Sequence, residues 1–165
     1  MKTNRQQSPF WRFFFRKPVA WQLQTRQLLS QTPLFDDIPS SVIKQLIEGM
    51  YYRQYQDQEF VFNYGEPGLG MYSVLSGSVE IFLGDQILAT IKPGEFFGEV
   101  ALFGEETRTA SARTVGETEL VGFFRPALTE WVERSPRYGS LFLLQLGRVL
   151  VARLRQANEL LADSS

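Results

Sequence analysis

Apolar residues recur at helical spacing at both ends of the chain. Over residues 40–50 they repeat every three or four positions, which predicts an amphipathic helix, and another helix is predicted over 19–31. The same spacing returns over 125–132 and, after the break at Ser135-Pro136, over about 138–161. The pattern therefore predicts helices before and after a central region of a different kind.

That central region, from Tyr51 to about Phe124, has the short alternating pattern of β-strands. Val79, Ile81 and Leu83 alternate with other residues as in a half-buried strand, and Gly84-Asp85 is typical of a hairpin turn. The predicted strands are Tyr51–Tyr55, Glu59–Asn63, Gly70–Ser76, Gly77–Leu83, Gln86–Ile91, Ser111–Thr114 and Thr118–Phe124. Turn signals at such short intervals favour a sandwich, jelly roll or barrel.

The composition narrows the possible chemistry. The chain has no Cys and no His, so it lacks disulfides, the usual structural zinc ligands and the commonest general base. An enzyme could still use Asp, Glu, Lys or Tyr, but these absences favour binding over catalysis. We therefore expect a protein that is not an enzyme and holds no metal.

Charge is distributed unevenly along the chain. Residues 1–27 carry six basic residues and no acid, and the remainder holds 11 basic and 18 acidic residues. An acidic body argues against nucleic-acid binding by the domain itself. The basic, aromatic arm fits contact with an anionic membrane surface or a partner, and equally fits packing on the protein's own surface. With no apolar run long enough for a membrane span and no cleavable signal, we expect a cytoplasmic protein, with peripheral membrane contact left open.

One long connection, Gly94–Ala112, interrupts a β region whose other strands are joined by short turns. Gly98 permits close backbone approach, and Glu99–Leu102 can form a helical turn whose first N–H groups face an anion. The guanidinium of Arg108 matches two phosphate oxygens, while the carboxylate of Glu99 suits a hydroxyl such as a ribose 2′-OH. The same two residues also fit an ion pair that only staples the loop, and the residue types alone leave both interpretations open.

The motifs around this connection resemble a known family. They are Phe97-Gly98-Glu99-Val100-Ala101-Leu102, Arg108 nine residues after the glutamate, Asn63-Tyr64-Gly65-Glu66, Gly77-Ser78-Val79 and Lys92-Pro93-Gly94. Together they resemble the cyclic-nucleotide-binding domain family, which includes the catabolite activator protein, kinase regulatory subunits and channel ligand domains. Thr107 departs from the proline that many members have there. The resemblance covers about residues 28–161, with residues 1–27 as a separate arm.

The resemblance implies a fold: mainly β with flanking α, a double-stranded β-helix (jelly-roll) β-roll at about 51–124, N-terminal helices and a C-terminal helix pair at about 126–161. It also implies cAMP or cGMP as ligand. Glu99 would accept the ribose 2′-OH and Arg108 would pair with the phosphate in the phosphate-binding cassette. The other implied contacts are the backbones of Gly98, Val100, Ala101 and Ala110, the hydroxyl of Thr109, the base-packing side chains Ile81 and Leu88, and Asn158 on a lid helix. Ile81 and Leu88 equally fit a plain core, and base choice stays open with a slight preference for cAMP.

The long C-terminal helix carries two apolar stripes. One is Leu144, Gly147, Val151, Leu154, Asn158 and Leu161, and the other is Leu143, Leu146, Leu150, Ala157 and Leu160. The first stripe has the spacing of a heptad seam and would form a homodimer, and the second would cover the β-roll; the alternative is a single wide stripe buried within one chain.

The four residues after Leu161 leave no room for a helix-turn-helix module, so we expect a stand-alone module that signals through an unidentified effector protein or its dimer. Two alternatives remain. One is a degenerate member that acts as a dimeric scaffold without ligand. The other is a cupin-type enzyme, which the lack of His disfavours.

Overall fold

The computed structural model describes residues 20–104 and 107–163. Most of the basic arm predicted at 1–27 lies outside the described residues, as does the side chain of Leu160. The described elements are helices α1 (Ala20–Leu29), α2 (Ser40–Glu48), α3 (Arg125–Arg134) and α4 (Pro136–Asp163), and strands β1 (Tyr51–Tyr55), β2 (Phe60–Phe62), β3 (Gly70–Leu83), β4 (Gln86–Ile91), β5 (Phe96–Phe97) and β6 (Ser111–Phe124). The described residues also form two short 3-10 helices: Pro33–Phe35 between α1 and α2, and Glu99–Leu102 after β5, which is named the cassette helix.

The strands form one antiparallel sheet that is rolled on itself. Its order is β1-β6-β3-β4, with β2 added to β6 and β5 added to β3. The two 14-residue strands β3 and β6 pair along nearly their whole length, from Gly70 opposite Phe124 to Phe82 opposite Ser111. The predicted class, a jelly-roll β-roll with helices before and after it, is confirmed.

Two long strands replace four of the predicted short ones. Gly77 interrupts the pattern of β3 and Gly116 that of β6, but both glycines bend the chain at positive φ, 77° and 74°, without ending the pairing. Only a residue without a Cβ adopts that backbone freely, so a glycine here marks a bend in a continuous strand. β5 was not predicted, because two residues are too few to show alternation.

The core has two parts. Inside the roll, all buried members lie on strands, among them the fully buried Val74 and Val79. The second part joins the helices to one end of the roll around Phe142 of α4, whose ring lies 5.6 Å from Trp131 and 6.0 Å from Phe123. This packing fixes the first half of α4 and aims its second half along the mouth of the roll.

Among the described residues, no helix has both the length and the apolar character needed to cross a membrane.

Candidate ligand-binding site

A cavity of about 540 Å³ opens between the roll and α4. Nine of the ten predicted site residues line it: Ile81, Leu88, Gly98, Glu99, Val100, Ala101, Arg108, Thr109 and Ala110. Asn158 is exposed and does not line the cavity; on α4 that place is taken by Arg153, Gln156 and Ala157. Residues from distant parts of the chain therefore meet in one pocket.

Arg108 is a buried cation that lines this cavity, with 6% of its surface exposed. Its backbone is held on both sides, because Gly65 N donates to its carbonyl and its own N donates to the carbonyl of Glu66, both at 2.8 Å. The guanidinium lies 4.0 Å from the ring centre of Phe62, and Nη1 donates to Gly98 O at 3.1 Å. Burial lowers the pKa of Arg108, yet an arginine stays protonated at neutral pH.

The donors of this guanidinium are only partly used. Nε of Arg108 is buried and has no hydrogen-bond partner. A buried donor without a partner costs free energy, about 1–3 kcal/mol or more for a charged group. The side chain is therefore poised to gain from an anionic ligand that reaches it.

Gly98 brings the cassette helix close to this charge. Its φ of 74° is left-handed, and a Cβ added there would lie 2.7 Å from Nη1 of Arg108. A helix leaves its first N–H groups without partners inside the helix, and here they belong to Glu99 and Val100, which line the cavity. The turn thus presents amide donors beside the guanidinium.

Glu99 is 8% exposed and pairs with a residue that the sequence did not single out. Its Oε1 accepts a hydrogen bond from Nη1 of Arg153 at 3.0 Å. Among the ion pairs of the described residues none joins Glu99 to Arg108, so the loop-stapling interpretation is not what the structure shows. The carboxylate of Glu99 and the guanidinium of Arg108 therefore both face the cavity without pairing with each other.

Arg153 links α4 to the cassette. Its Nη2 donates to Phe96 O at 2.7 Å, and its guanidinium lies 4.5 Å from the ring centre of Phe96. One signal for this contact was present in the sequence: the second apolar stripe skips from Leu150 to Ala157, and Arg153 fills the gap. A charged residue in an apolar stripe requires a partner on the surface that the stripe covers.

The two predicted base-packing residues lie on the two strands of the β3–β4 hairpin, where Ile81 pairs with Ala89 and Leu88 lies at the register shift beside that pair. Ile81 is partly buried and packs against the core of the roll, whereas Leu88 is 51% exposed although it lines the cavity. Leu88 therefore is not a core residue, and Ile81 serves both the core and the cavity wall.

A buried guanidinium, the amides at the start of the cassette helix and a buried carboxylate line one mouth of the β-roll, an arrangement that suits a small ligand with an anionic group and a hydroxyl. The chain belongs to the family described as the cyclic nucleotide-binding domain, which matches residues 52–135.

Known relatives include both transcription regulators and kinases. The chain is 32% identical to a CRP-like cAMP-activated global transcriptional regulator of Mycobacterium tuberculosis, over 83% of this chain and 62% of the regulator. It thus spans about three fifths of that relative's length. It is 37% identical to human cGMP-dependent protein kinase 2 over 61% of this chain but only 13% of the kinase. A cyclic nucleotide-binding domain from Methylobacillus flagellatus shares the fold, with a TM-score of 0.78 and 21% identity over 88% of this chain and 84% of that one.

Replacing Gly98 by Ala is expected to destabilise the protein more than replacing Gly116 by Ala. Both glycines have φ of 74°, so each variant strains the backbone by about 1–2 kcal/mol. Only at Gly98 does the new Cβ also collide with a buried side chain, Arg108, which adds about 1 kcal/mol or more. Urea unfolding of both variants measures the difference, and equal losses would show that Arg108 moves aside freely.

Proposed function

We propose that this chain is a non-enzymatic regulatory module that binds cAMP or cGMP in the cavity and needs no metal. The observation that carries the proposal is the guanidinium of Arg108, which is buried at the cavity with an unpartnered Nε. A buried charge is stabilised by a hydrogen-bonded partner of opposite charge, and a cyclic phosphate supplies one. Two of the relatives, a cAMP-activated regulator and a cGMP-dependent kinase, support the same ligand class.

In this proposal the two ends of the ligand meet different chemistry. The phosphate lies against Arg108 and the first amides of the cassette helix, with the hydroxyl of Thr109 and the amide of Ala110 nearby. The ribose 2′-OH donates to Glu99, because a carboxylate accepts several hydrogen bonds and Arg153 occupies one of its oxygens. Ile81 and Leu88 lie against the purine. We favour cAMP over cGMP as the ligand, and the titrations below compare the two.

We also propose that a second copy of this chain covers the outer stripe of α4, the seam. Its members Leu144, Val151 and Leu154 are 63%, 50% and 62% exposed, and nothing lies within 4 Å of a Cβ built on Gly147. In a heptad numbering Val151 and Asn158 fall on position a and Leu154 on position d, as in a two-stranded parallel coiled coil, whereas Leu144 on a and Gly147 on d depart from that pattern. Asn158, which does not line the cavity, fits this seam better than the base contact expected from the sequence.

Changing Arg108 to Ala is expected to weaken nucleotide binding by about 100-fold or more, because the ligand's phosphate loses its charged partner. Isothermal titration calorimetry with cAMP and cGMP measures this. The matched control is Arg113→Ala, which removes an arginine paired with Glu80 at 3.0 Å that does not line the cavity, and it should bind as the unchanged protein does. If neither nucleotide binds the unchanged protein at high micromolar concentration, the ligand-free scaffold replaces the proposed function.

The role of Glu99 is tested by removing the hydroxyl it would bind. The unchanged protein should bind 2′-deoxy-cAMP more weakly than cAMP by about 10-fold or more, since a hydrogen bond to a charged group contributes about 1.5–3 kcal/mol. In Glu99→Ala the affinities for cAMP and 2′-deoxy-cAMP should be equal. This expectation concerns their ratio and holds even if the variant weakens both. A 10-fold preference that persists in the variant would assign the hydroxyl to another partner.

Changing Leu154 to Asp is expected to convert the dimer to a monomer, because it places a charge in the seam. Light scattering after gel filtration gives the mass directly. Ala152→Asp, an exposed position two residues earlier that lies off the seam, should leave the dimer intact. A monomeric unchanged protein would instead assign the seam to a different partner.

A further inference from the structure

Arg125 holds the far end of the cassette helix, away from the cavity. It is the first residue of α3, and its side chain donates to Ala101 O from Nε at 3.1 Å and from Nη2 at 3.0 Å. The same Nη2 donates to Gly104 O and, at 3.3 Å, to Gly68 O. Three separate segments therefore meet at one guanidinium: the cassette, the loop before β3 and the start of α3.

The backbone of Arg125 adds a fourth contact. Its N–H donates to Leu69 O at 3.2 Å, which ties the end of β6 to the loop that leads into β3. Arg125 is partly buried and does not line the cavity, so it would not touch a ligand there. Whatever it contributes to binding must act through the cassette helix.

The cassette helix needs such an external hold. It has four residues, and forming a first helical turn is unfavourable without outside contacts. The carbonyl groups at a helix C-terminus have no partners inside the helix, and a cation there complements the helix dipole. Gly98 and Arg108 fix the N-terminal end of this helix, and Arg125 satisfies carbonyls at the other end.

We infer that Arg125 is a positioning residue, which keeps the cassette amides aimed at the ligand and transmits occupancy of the cavity to α3. This inference rests on the proposed function. Coupling between two sites is reciprocal: a ligand that orders the cassette strengthens the contacts of Arg125, and those contacts order the start of α3. α3 in turn packs on α4, with the rings of Trp131 and Phe142 5.6 Å apart, so the effect reaches the helix that carries the seam.

The first test needs no nucleotide. Hydrogen–deuterium exchange in the ligand-free protein should be at least tenfold faster over Gly98–Phe103 in Arg125→Met than in the unchanged protein. Leu128→Ala is the matched control, because Leu128 is buried in the same helix, 6% exposed, and its apolar side chain makes no hydrogen bond to the cassette. The control should lower the melting temperature yet leave exchange of the cassette unchanged.

The second test measures binding by calorimetry with cAMP and cGMP. Arg125→Met should weaken binding by tenfold or more, Arg125→Lys should fall between it and the unchanged protein, and Leu128→Ala should bind normally. With saturating nucleotide, amides of α3 should become protected in the unchanged protein but not in Arg125→Met.

The outcomes separate this inference from the proposed function. If the unchanged protein binds neither nucleotide, the proposed function fails, and the exchange rates of the ligand-free cassette still decide whether Arg125 holds it. If Arg125→Met exchanges and binds as the unchanged protein does, the positioning role is overturned. Should Arg125→Met not fold, Arg125→Lys decides by the same two measurements, and unchanged exchange and affinity in it overturn the role.

Discussion

The site depends on one buried charge that the protein alone does not fully satisfy. Transferring a guanidinium from water into a protein interior costs several kcal/mol, and full compensation requires partners for its donors. Arg108 has an aromatic ring, one carbonyl and an unpartnered Nε. Its position is nevertheless fixed, since two backbone hydrogen bonds clamp it to the turn at Gly65 and Glu66. A rigid, under-satisfied cation of this kind suits the anionic ligand of the proposed function, and the amides, the carboxylate and the cavity walls lie around it.

Helix α4 connects that site to the surface of the molecule. Its first half is anchored in the helical core, where Phe142 and Leu146 are fully buried. Its second half holds Glu99 through Arg153 on one face and exposes an apolar seam on another. Because one stiff helix carries both faces, the proposed ligand contact at the carboxylate would also act on the proposed seam. The cavity is thus connected to α4 by two sets of contacts. One is the direct pair of Glu99 with Arg153, and the other runs from the cassette helix through Arg125 and α3.

Local patterns predicted much of this architecture. Strands β1 and β4 were predicted with the bounds that the structure has, because side-chain alternation is a property of the strand itself. Nine of the ten residues that the family resemblance implied as ligand contacts line one cavity. The predicted breaks at Gly77 and Gly116 were wrong, since a glycine that bends a strand and one that ends it look alike until the partner strand is known. The short strand β5 left no pattern at all.

The residue chemistry of the site was present in the sequence alone: no histidine or cysteine, a glutamate and an arginine at fixed spacing, and glycines where the backbone turns. Which charges pair was decided only by the tertiary structure. Glu99 meets Arg153, 54 positions away, rather than Arg108, and Ala157 rather than Asn158 faces the cavity. The reason is physical. The rotation of α4 about its own axis is set by the packing of Phe142 and Leu146 against the core, and the two apolar stripes do not by themselves say which of them faces the roll or which residue each one meets.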